Sequence, residues 1–216
     1  MFHVPAFIFD FDGVIANSMN MHMSAWQQAY HAVFQIPLND PNRIAGMDSI
    51  KIARMLSHEL GQQSKWEDFL ARKRALVLTL VDTIELLPGA ALFLESLPRQ
   101  EIKHAICTNA TRPFIYRILG NHGIEVPPNI TVEDVKHPKP HPEPYLKAIE
   151  LLGIPQDLKS QVIVFEDSRH GVRSAKEAGL HCIGIRTMHT TEELRSAGAK
   201  QVVGDLAEAA ELLKIT

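Results

Sequence analysis

The sequence predicts an α/β protein with a parallel β-sheet core and a helical segment inserted after the first strand. Four short, continuously apolar runs lie at 6–9, 105–107, 162–165 and 182–185. Each is too short for a helix, and unbroken hydrophobicity is typical of a strand that is buried on both faces. Helical patterns follow these runs, and strand–helix alternation favours a parallel sheet.

Helices are predicted where apolar residues recur at helical spacing and a glycine follows within two residues. These segments are 111–121, 142–152 and 170–178. Two more helices are predicted near the end of the chain. Thr190 with Glu193, and Asp205 with Glu208, have the spacing of capping boxes that open helices.

The stretch 17–87 breaks the alternation, because its apolar residues follow helical spacing and no strand candidate interrupts them. The first apolar run belongs with the later strands, so this stretch is interpreted as an insertion. The predicted domains are therefore an α/β core of residues 1–16 and 88–216 and a helical domain of residues 17–87.

Composition excludes several functional classes. The 216 residues are 45% hydrophobic and carry a net charge of -3, so neither disorder nor nucleic-acid binding is expected. No apolar run is long enough to span a membrane, and no signal peptide is expected. Cys107 and Cys182 are too few for a disulfide framework or a cysteine zinc cluster. These observations predict a cytoplasmic protein, which we expect to be a monomer.

Polar residues follow three of the predicted strands. The strand ends carry Asp10 and Asp12, then Thr108 and Asn109, then Glu166 and Asp167. A proline-stiffened loop between the second and third strands carries Lys136 and Lys139. Because ligands of open parallel sheets bind at the carboxyl ends of the strands, these residues are predicted to converge on one site.

Four carboxylates close together repel one another unless a cation neutralises them. Oxygen ligands without nearby cysteine or paired histidine suit a hard ion, and Mg²⁺ is the natural candidate. Carboxylates, a lysine and a hydroxyl also suit a transferring phosphoryl group. One carboxylate can act as nucleophile and form an aspartyl-phosphate while another acts as acid and base, roles that Asp10 and Asp12 can divide.

Each residue has a plainer interpretation. Asp10 and Asp12 could form a strand-end turn, and Thr108 could be an ordinary strand-end hydroxyl. Lys136 competes with Lys139, although the flanking prolines favour Lys139. Glu166 and Asp167 could instead cap the next helix, which makes Glu166 a weaker metal-ligand candidate than Asp167.

Taken in order, these motifs resemble those of the haloacid dehalogenase superfamily, in the branch that contains β-phosphoglucomutase and phosphoglycolate phosphatase. The four segments are Asp10-Phe-Asp-Gly-Val, Thr108, Lys139-Pro-His-Pro and Glu166-Asp-Ser. The resemblance covers essentially the whole chain. It implies a Rossmann-like core with a small α-helical cap.

The resemblance also implies roles for individual residues. Asp10 would be the nucleophile and Asp12 the acid and base. Thr108 and the backbone of Asn109 would hold the phosphoryl oxygens. Lys139 would neutralise charge on the nucleophile and on the phosphate. Mg²⁺ would be held by Asp10, the Asp12 carbonyl, Asp167 and Glu166. The second aspartate disfavours dehalogenation.

The expected activity is hydrolysis of a small-molecule phosphate ester, and the alternative is a phosphosugar mutase. His22 and Trp26 fall where the mutase also has a His and a Trp, so His22 is a candidate substrate contact. The mutase, however, carries a lysine and an arginine where this chain has Ala45 and Ser49. Without these two cations the chain lacks the obvious groups that would bind a second phosphate, which favours a phosphatase. A binding module that has lost catalysis is a third hypothesis, although no motif residue is missing.

Overall fold

The computed structural model describes residues 4–44 and 47–215. In this part of the chain, six strands form one parallel sheet in the order β3-β2-β1-β4-β5-β6. The strands are β1 (Ala6–Phe9), β2 (Lys103–Cys107), β3 (Asn129–Ile130), β4 (Ile163–Glu166), β5 (His181–Ile185) and β6 (Gln201–Val203). The predicted α/β class with a parallel sheet is confirmed.

Helices connect the strands, and three of them lie in the inserted segment. In chain order, the helices of the described residues are α1 (Met19–Phe34), α2 (Ser49–Glu59), α3 (Trp66–Leu80), α4 (Ala90–Arg99), α5 (Arg112–Asn121), α6 (Glu143–Leu151), α7 (Arg169–Glu177), α8 (Thr191–Ala197) and α9 (Leu206–Leu213). Among the described residues, no helix is both long enough and apolar enough to cross a membrane.

The chain separates into two compact units. One contains Met1–Asn17 and Glu85–Thr216, and the other contains Ser18–Ile84. The first holds the sheet and α4 to α9; the second holds α1 to α3. By packing, the chain thus passes from one unit to the other after Asn17 and back after Ile84.

The alternation of side chains along β1 builds the core on both faces of the sheet. Phe7 and Phe9 project to one face, where they pack against Phe93 of α4 and Phe165 of β4. Ile8 lies in the cluster on the other face with Tyr145 of α6 and residues of α7 and α8. The strand is completely buried and holds a fixed register at the centre of the sheet.

The helical unit has its own apolar core. The aromatic rings of α1 (Trp26, Tyr30 and Phe34) pack around Phe69 of α3, and α2 adds Leu56. This packing explains the helical spacing seen in the sequence.

Several local features differ from the sequence-based expectations. Strands β3 and β6 were not predicted, because two- and three-residue strands leave little periodic signal. Helix α4 was not predicted either. The capping box at Thr190 and Glu193 is present. At α9, Asp205 caps the helix, but Glu208 accepts from the Gly204 amide instead of the Asp205 amide.

Candidate active site

The ends of β1 and β4 are neighbours at the centre of the sheet, where the order of the strands reverses its direction. Phe9 pairs with Phe165, and the Asp10 amide donates to the Phe165 carbonyl at 2.9 Å. Asp10 therefore leaves β1 beside the point where Glu166 ends β4 and Asp167 follows. The pairing register alone brings these three acidic residues together.

A tight loop after β1 leaves room for Asp167. Gly13 has a φ of +78°, in the left-handed region that favours glycine. A Cβ atom at this position would lie 2.0 Å from Oδ2 of Asp167. The loop is closed by the Gly13 amide, which donates to the Ala16 carbonyl, and by the Thr187 hydroxyl, which donates to the Gly13 carbonyl.

Lys139 reaches this cluster from the loop before α6, and its side chain is only 3% exposed. Its Nζ atom donates to Asp10 Oδ1 at 2.7 Å, to Glu166 Oε1 at 2.6 Å and to the Cys107 carbonyl at 2.6 Å. An ammonium group has three N–H donors, so these acceptors use all of them. Lys136 is exposed, so the structure brings Lys139 rather than Lys136 to the cluster.

Glu166 is fully buried, and donors surround both of its oxygens. Oε1 accepts from Lys139 and from the Tyr145 hydroxyl at 2.8 Å. Oε2 accepts from the amide and the hydroxyl of Ser168 at 3.3 and 3.1 Å. A Cβ atom on Gly171, in the first turn of α7, would lie 1.7 Å from Oε1, so only glycine leaves room for this carboxylate.

Thr108 and Asn109 follow β2 on the other side of β1. The Thr108 hydroxyl accepts from the Ala110 amide at 3.0 Å, which leaves its O–H proton to donate to another oxygen. The Asn109 side chain holds the loop of residues 136–142, here called the lysine loop: its Oδ1 accepts from the Lys139 amide at 3.2 Å, and its Nδ2 donates to the Lys139 carbonyl at 3.5 Å.

The site concentrates negative charge away from water. Burial raises the pKa of Asp10 to about 7, against the ion pair with Lys139, and the charges of Glu166 and Asp12 raise it further. Burial also raises the pKa of Asp167, and the neighbouring carboxylates add to the shift. Burial by itself would lower the pKa of Lys139, but Asp10 and Glu166 reverse this effect and keep the ammonium charged.

Three of these carboxylates form a possible cation site. Asp10, Glu166 and Asp167 are buried, and each offers one oxygen within 4.8 Å of the others. Asp12 is half-buried in the loop after β1, and its charge raises the pKa values of Asp10 and Asp167. Lys139 is the buried cation that faces this group among the described residues.

His22 lies in the helical unit, on α1. Its Nδ1 atom is 3.1 Å from Nζ of Lys73, a buried lysine that also lies 5.1 Å from the centre of the Trp26 ring. Ser49 is the first residue of α2. Ala45 lies outside the described residues.

Two contacts at the site were not anticipated from the sequence. Tyr145 was placed in a predicted helix without a role, and Asn109 was considered only for its backbone. Both residues lie near motif positions, but a tyrosine at helical spacing is usually a core residue. Their contacts depend on how α6 and the lysine loop pack against the strand ends.

The chain is similar to known proteins in sequence and in structure. A family model described as haloacid dehalogenase-like hydrolase matches residues 7–185. A glycerol-1-phosphate phosphohydrolase 2 of Saccharomyces cerevisiae is 41% identical over 124 residues, which are 54% of this chain and 49% of that protein. The match thus spans about half the length of that relative.

Two other similarities extend over almost the full length. A 2-deoxyglucose-6-phosphate phosphatase 2 of Saccharomyces cerevisiae is 31% identical over 96% of this chain and 90% of its own length. The crystal structure of a hydrolase from Pseudomonas syringae has a TM-score of 0.86 and 26% identity, covering 97% of this chain and 98% of that one.

Proposed function

Because the chain belongs to the haloacid dehalogenase-like hydrolases, we propose that it is a Mg²⁺-dependent phosphatase that hydrolyses a small phosphorylated metabolite through an aspartyl-phosphate. The contact of Lys139 with Asp10 carries the proposal, because it places a buried cation on one carboxylate at the end of the central strand. The relatives named as phosphatases support the same reaction class.

In the proposed first half-reaction, a carboxylate oxygen of Asp10 attacks phosphorus. The bond between phosphorus and the substrate oxygen breaks, and Asp12 gives its proton to that leaving oxygen. The ion pair with Lys139 favours the ionised form of Asp10 and orients it, and it offsets the negative charge that collects as the phosphoryl group approaches.

In the second half-reaction, Asp12 takes a proton from a water molecule, and the water oxygen attacks the phosphoryl group on Asp10. The bond between phosphorus and the Asp10 oxygen breaks, which regenerates the carboxylate and releases phosphate. The half-buried setting of Asp12 suits a group that exchanges a proton with leaving group and water in turn.

Donors next to Asp10 would hold the equatorial phosphoryl oxygens. The Thr108 hydroxyl and the Asn109 backbone amide, which follow β2, would be these donors, and Lys139 would supply the positive charge. The Asn109 side chain adds a second role, since it fixes the backbone of Lys139.

The donor set fits Mg²⁺, because it consists of buried carboxylate oxygens within 4.8 Å of one another. Asp10, Asp167, the Asp12 carbonyl and Glu166 would hold the ion. Glu166 would have to release one of its present hydrogen bonds, so Asp10 and Asp167 are the main proposed ligands. When bound, Mg²⁺ would neutralise part of the charge on the phosphoryl group.

The proposed substrate is a small phosphorylated sugar or polyol. The named substrates of the two yeast relatives, a glycerol phosphate and a deoxyglucose phosphate, support this class. His22 is proposed as a substrate contact in the helical unit. A phosphosugar mutase is the less favoured alternative, because these relatives are hydrolases. The proposal includes a cytoplasmic location, which the buried free thiols of Cys107 and Cys182 suit, and a monomeric state.

Phosphate release from p-nitrophenyl phosphate and a panel of phosphorylated sugars and polyols tests the proposal. We expect release with Mg²⁺ and none after full chelation. Asp10→Asn should lower kcat by at least about a thousandfold while the protein stays folded. Activity that survives this substitution would overturn the mechanism. Conversion of glucose 1-phosphate to glucose 6-phosphate without net phosphate release would establish the mutase instead.

A further inference from the structure

We infer that Tyr145 is a positioning residue of the reaction, whose hydroxyl holds Glu166 and thereby fixes the Lys139 ammonium beside Asp10. The inference rests on the proposed function and extends it to α6, outside the four strand-end and loop motifs. Tyr145 does not reach Asp10 in any hydrogen bond of the described structure; it acts through Glu166 and Lys139.

Tyr145 touches both partners of the buried ion pair. Its hydroxyl donates to Oε1 of Glu166 at 2.8 Å, and the same oxygen accepts from Lys139 at 2.6 Å. Nζ of Lys139 also lies 4.8 Å from the centre of the Tyr145 ring, within the range of a cation–π contact. The phenol therefore supports the lysine through its ring and the carboxylate through its hydroxyl.

Because Tyr145 and Lys139 donate to the same oxygen of Glu166, the Tyr145 hydroxyl affects how strongly Glu166 attracts the ammonium. Asp10 and Glu166 share the Lys139 ammonium, at nearly equal distances of 2.7 and 2.6 Å. By donating to Oε1, Tyr145 satisfies part of the hydrogen-bonding capacity of Glu166. Without that donor, Lys139 would be the only donor to Oε1 among the described residues, and the ammonium would be drawn toward Glu166 and away from Asp10.

Packing alone does not account for a tyrosine at this position. Tyr145 is completely buried in the apolar cluster formed with α7 and β4, where a phenylalanine ring would fill the same space. Burying a hydroxyl is unfavourable unless it finds a partner. Here the partner is a carboxylate of the site, which gives the hydroxyl a defined chemical task.

The test compares Tyr145→Phe with Tyr116→Phe, a matched change at a half-exposed tyrosine on α5 in the same unit. The first readout is steady-state kinetics with p-nitrophenyl phosphate at saturating Mg²⁺. The second is the NMR signal of the Lys139 ammonium in ¹⁵N-lysine-labelled, metal-free protein, identified as the signal that Lys139→Arg removes. Thermal unfolding confirms that both variants are folded.

We expect Tyr145→Phe to lower kcat about tenfold with a smaller change in KM, the effect of losing one hydrogen bond to a charged group. The Lys139 signal should shift, and its protons should exchange faster with water. Tyr116→Phe should change neither readout. An unaltered kcat and an unaltered Lys139 signal in folded Tyr145→Phe would overturn the inference.

The two readouts separate this inference from the proposed function. If the wild-type protein hydrolyses no phosphate ester, the proposed function fails. The ammonium signal needs no substrate and no metal, so it still decides whether Tyr145 fixes Lys139. A kcat loss in Tyr145→Phe with an unchanged ammonium signal would also count against the positioning role.

Discussion

A Cβ atom added to Gly13 would lie 2.0 Å from Oδ2 of Asp167, although the two residues lie far apart in the chain. The loop after β1 and the end of β4 therefore fit together so closely that a single methyl group would occupy the place of a carboxylate. Gly13 and Gly171 both lie this close to a carboxylate of the site.

Gly13→Ala should impair the site more than it unfolds the protein. The φ of +78° and the overlap with Asp167 both oppose a side chain, and we expect a loss of about 2 kcal/mol in the free energy of unfolding. Displacement of Asp167 should also weaken Mg²⁺ binding at least tenfold. Chemical denaturation and a Mg²⁺ titration measure the two effects.

Gly123→Ala is the matched control. Gly123 has a φ of +68° but nothing within 4 Å of an added Cβ, so it carries the backbone strain without the overlap. It should lower stability and leave the Mg²⁺ affinity unchanged. Equal Mg²⁺ affinities in both variants would show that Asp167 does not depend on the empty space at Gly13.

Gly171→Ala should disturb Glu166. The added Cβ would lie 1.7 Å from Oε1, and the helix backbone of α7 cannot easily retreat. We expect kcat to fall at least tenfold and the unfolding midpoint to drop. Gly120→Ala, in α5 with open space around it, should instead stabilise the fold by about 1 kcal/mol, because alanine favours a helix over glycine. An unchanged kcat in Gly171→Ala would show that the added Cβ atom does not disturb the Glu166 carboxylate.

Mg²⁺ should stabilise the folded protein. At a concentration of 100 times Kd, binding adds about 2.7 kcal/mol, which should raise Tm by roughly 5 to 10 °C. Asp167→Asn should abolish most of this increase, whereas Asp157→Asn, at an exposed aspartate, should keep it. A full increase in Asp167→Asn would remove this residue from the proposed ligands.

The metal-free protein should lose stability as the pH rises toward neutrality. The pKa of Asp10 is raised from 3.8 to about 7, mainly by burial, so the folded state keeps a proton that the unfolded state has released. A raised pKa contributes stability at low pH that is lost as the pH rises through the folded-state value. The contribution of Asp10 should therefore decrease by about 3 kcal/mol between pH 5 and pH 8.

Asp10→Asn provides the comparison, because its amide does not titrate. In the presence of a chelator, the stability of the wild type relative to this variant should fall across pH 5 to 8, as measured by chemical denaturation. Asp167 has a raised pKa of its own and is present in both proteins. Parallel stability curves for the two proteins would show that Asp10 is ionised throughout.

Much of the fold was predictable, because unbroken apolar runs mark the strands at the centre of the sheet and helical spacing of apolar residues marks most of the helices. The run at β1 was predicted with the observed limits, Ala6–Phe9, since it is buried on both faces and bounded by Asp10. Strands β3 and β6 were missed because they lie at the edges and are short. The family prediction is confirmed by the match over residues 7–185.

The convergence of the strand ends was predictable from topology, but the partners within the site were not. The sequence predicts that Asp10 and Glu166 share one edge of the sheet. The resemblance also predicts that Lys139 neutralises charge on Asp10. The sequence does not specify that Lys139 pairs with Glu166 as well, or that Tyr145 donates to Glu166. These contacts depend on side-chain directions in a loop and a helix, which a one-dimensional pattern does not encode.

The three acceptors of Lys139 have a consequence for phosphate itself. Since Asp10, Glu166 and the Cys107 carbonyl already use every N–H of the ammonium, a phosphoryl oxygen can gain a bond from it only when another acceptor gives one up. A bond from Lys139 to a phosphoryl oxygen is thus an exchange of partners, so the lysine contributes to phosphate binding mainly through its charge and less through an added hydrogen bond.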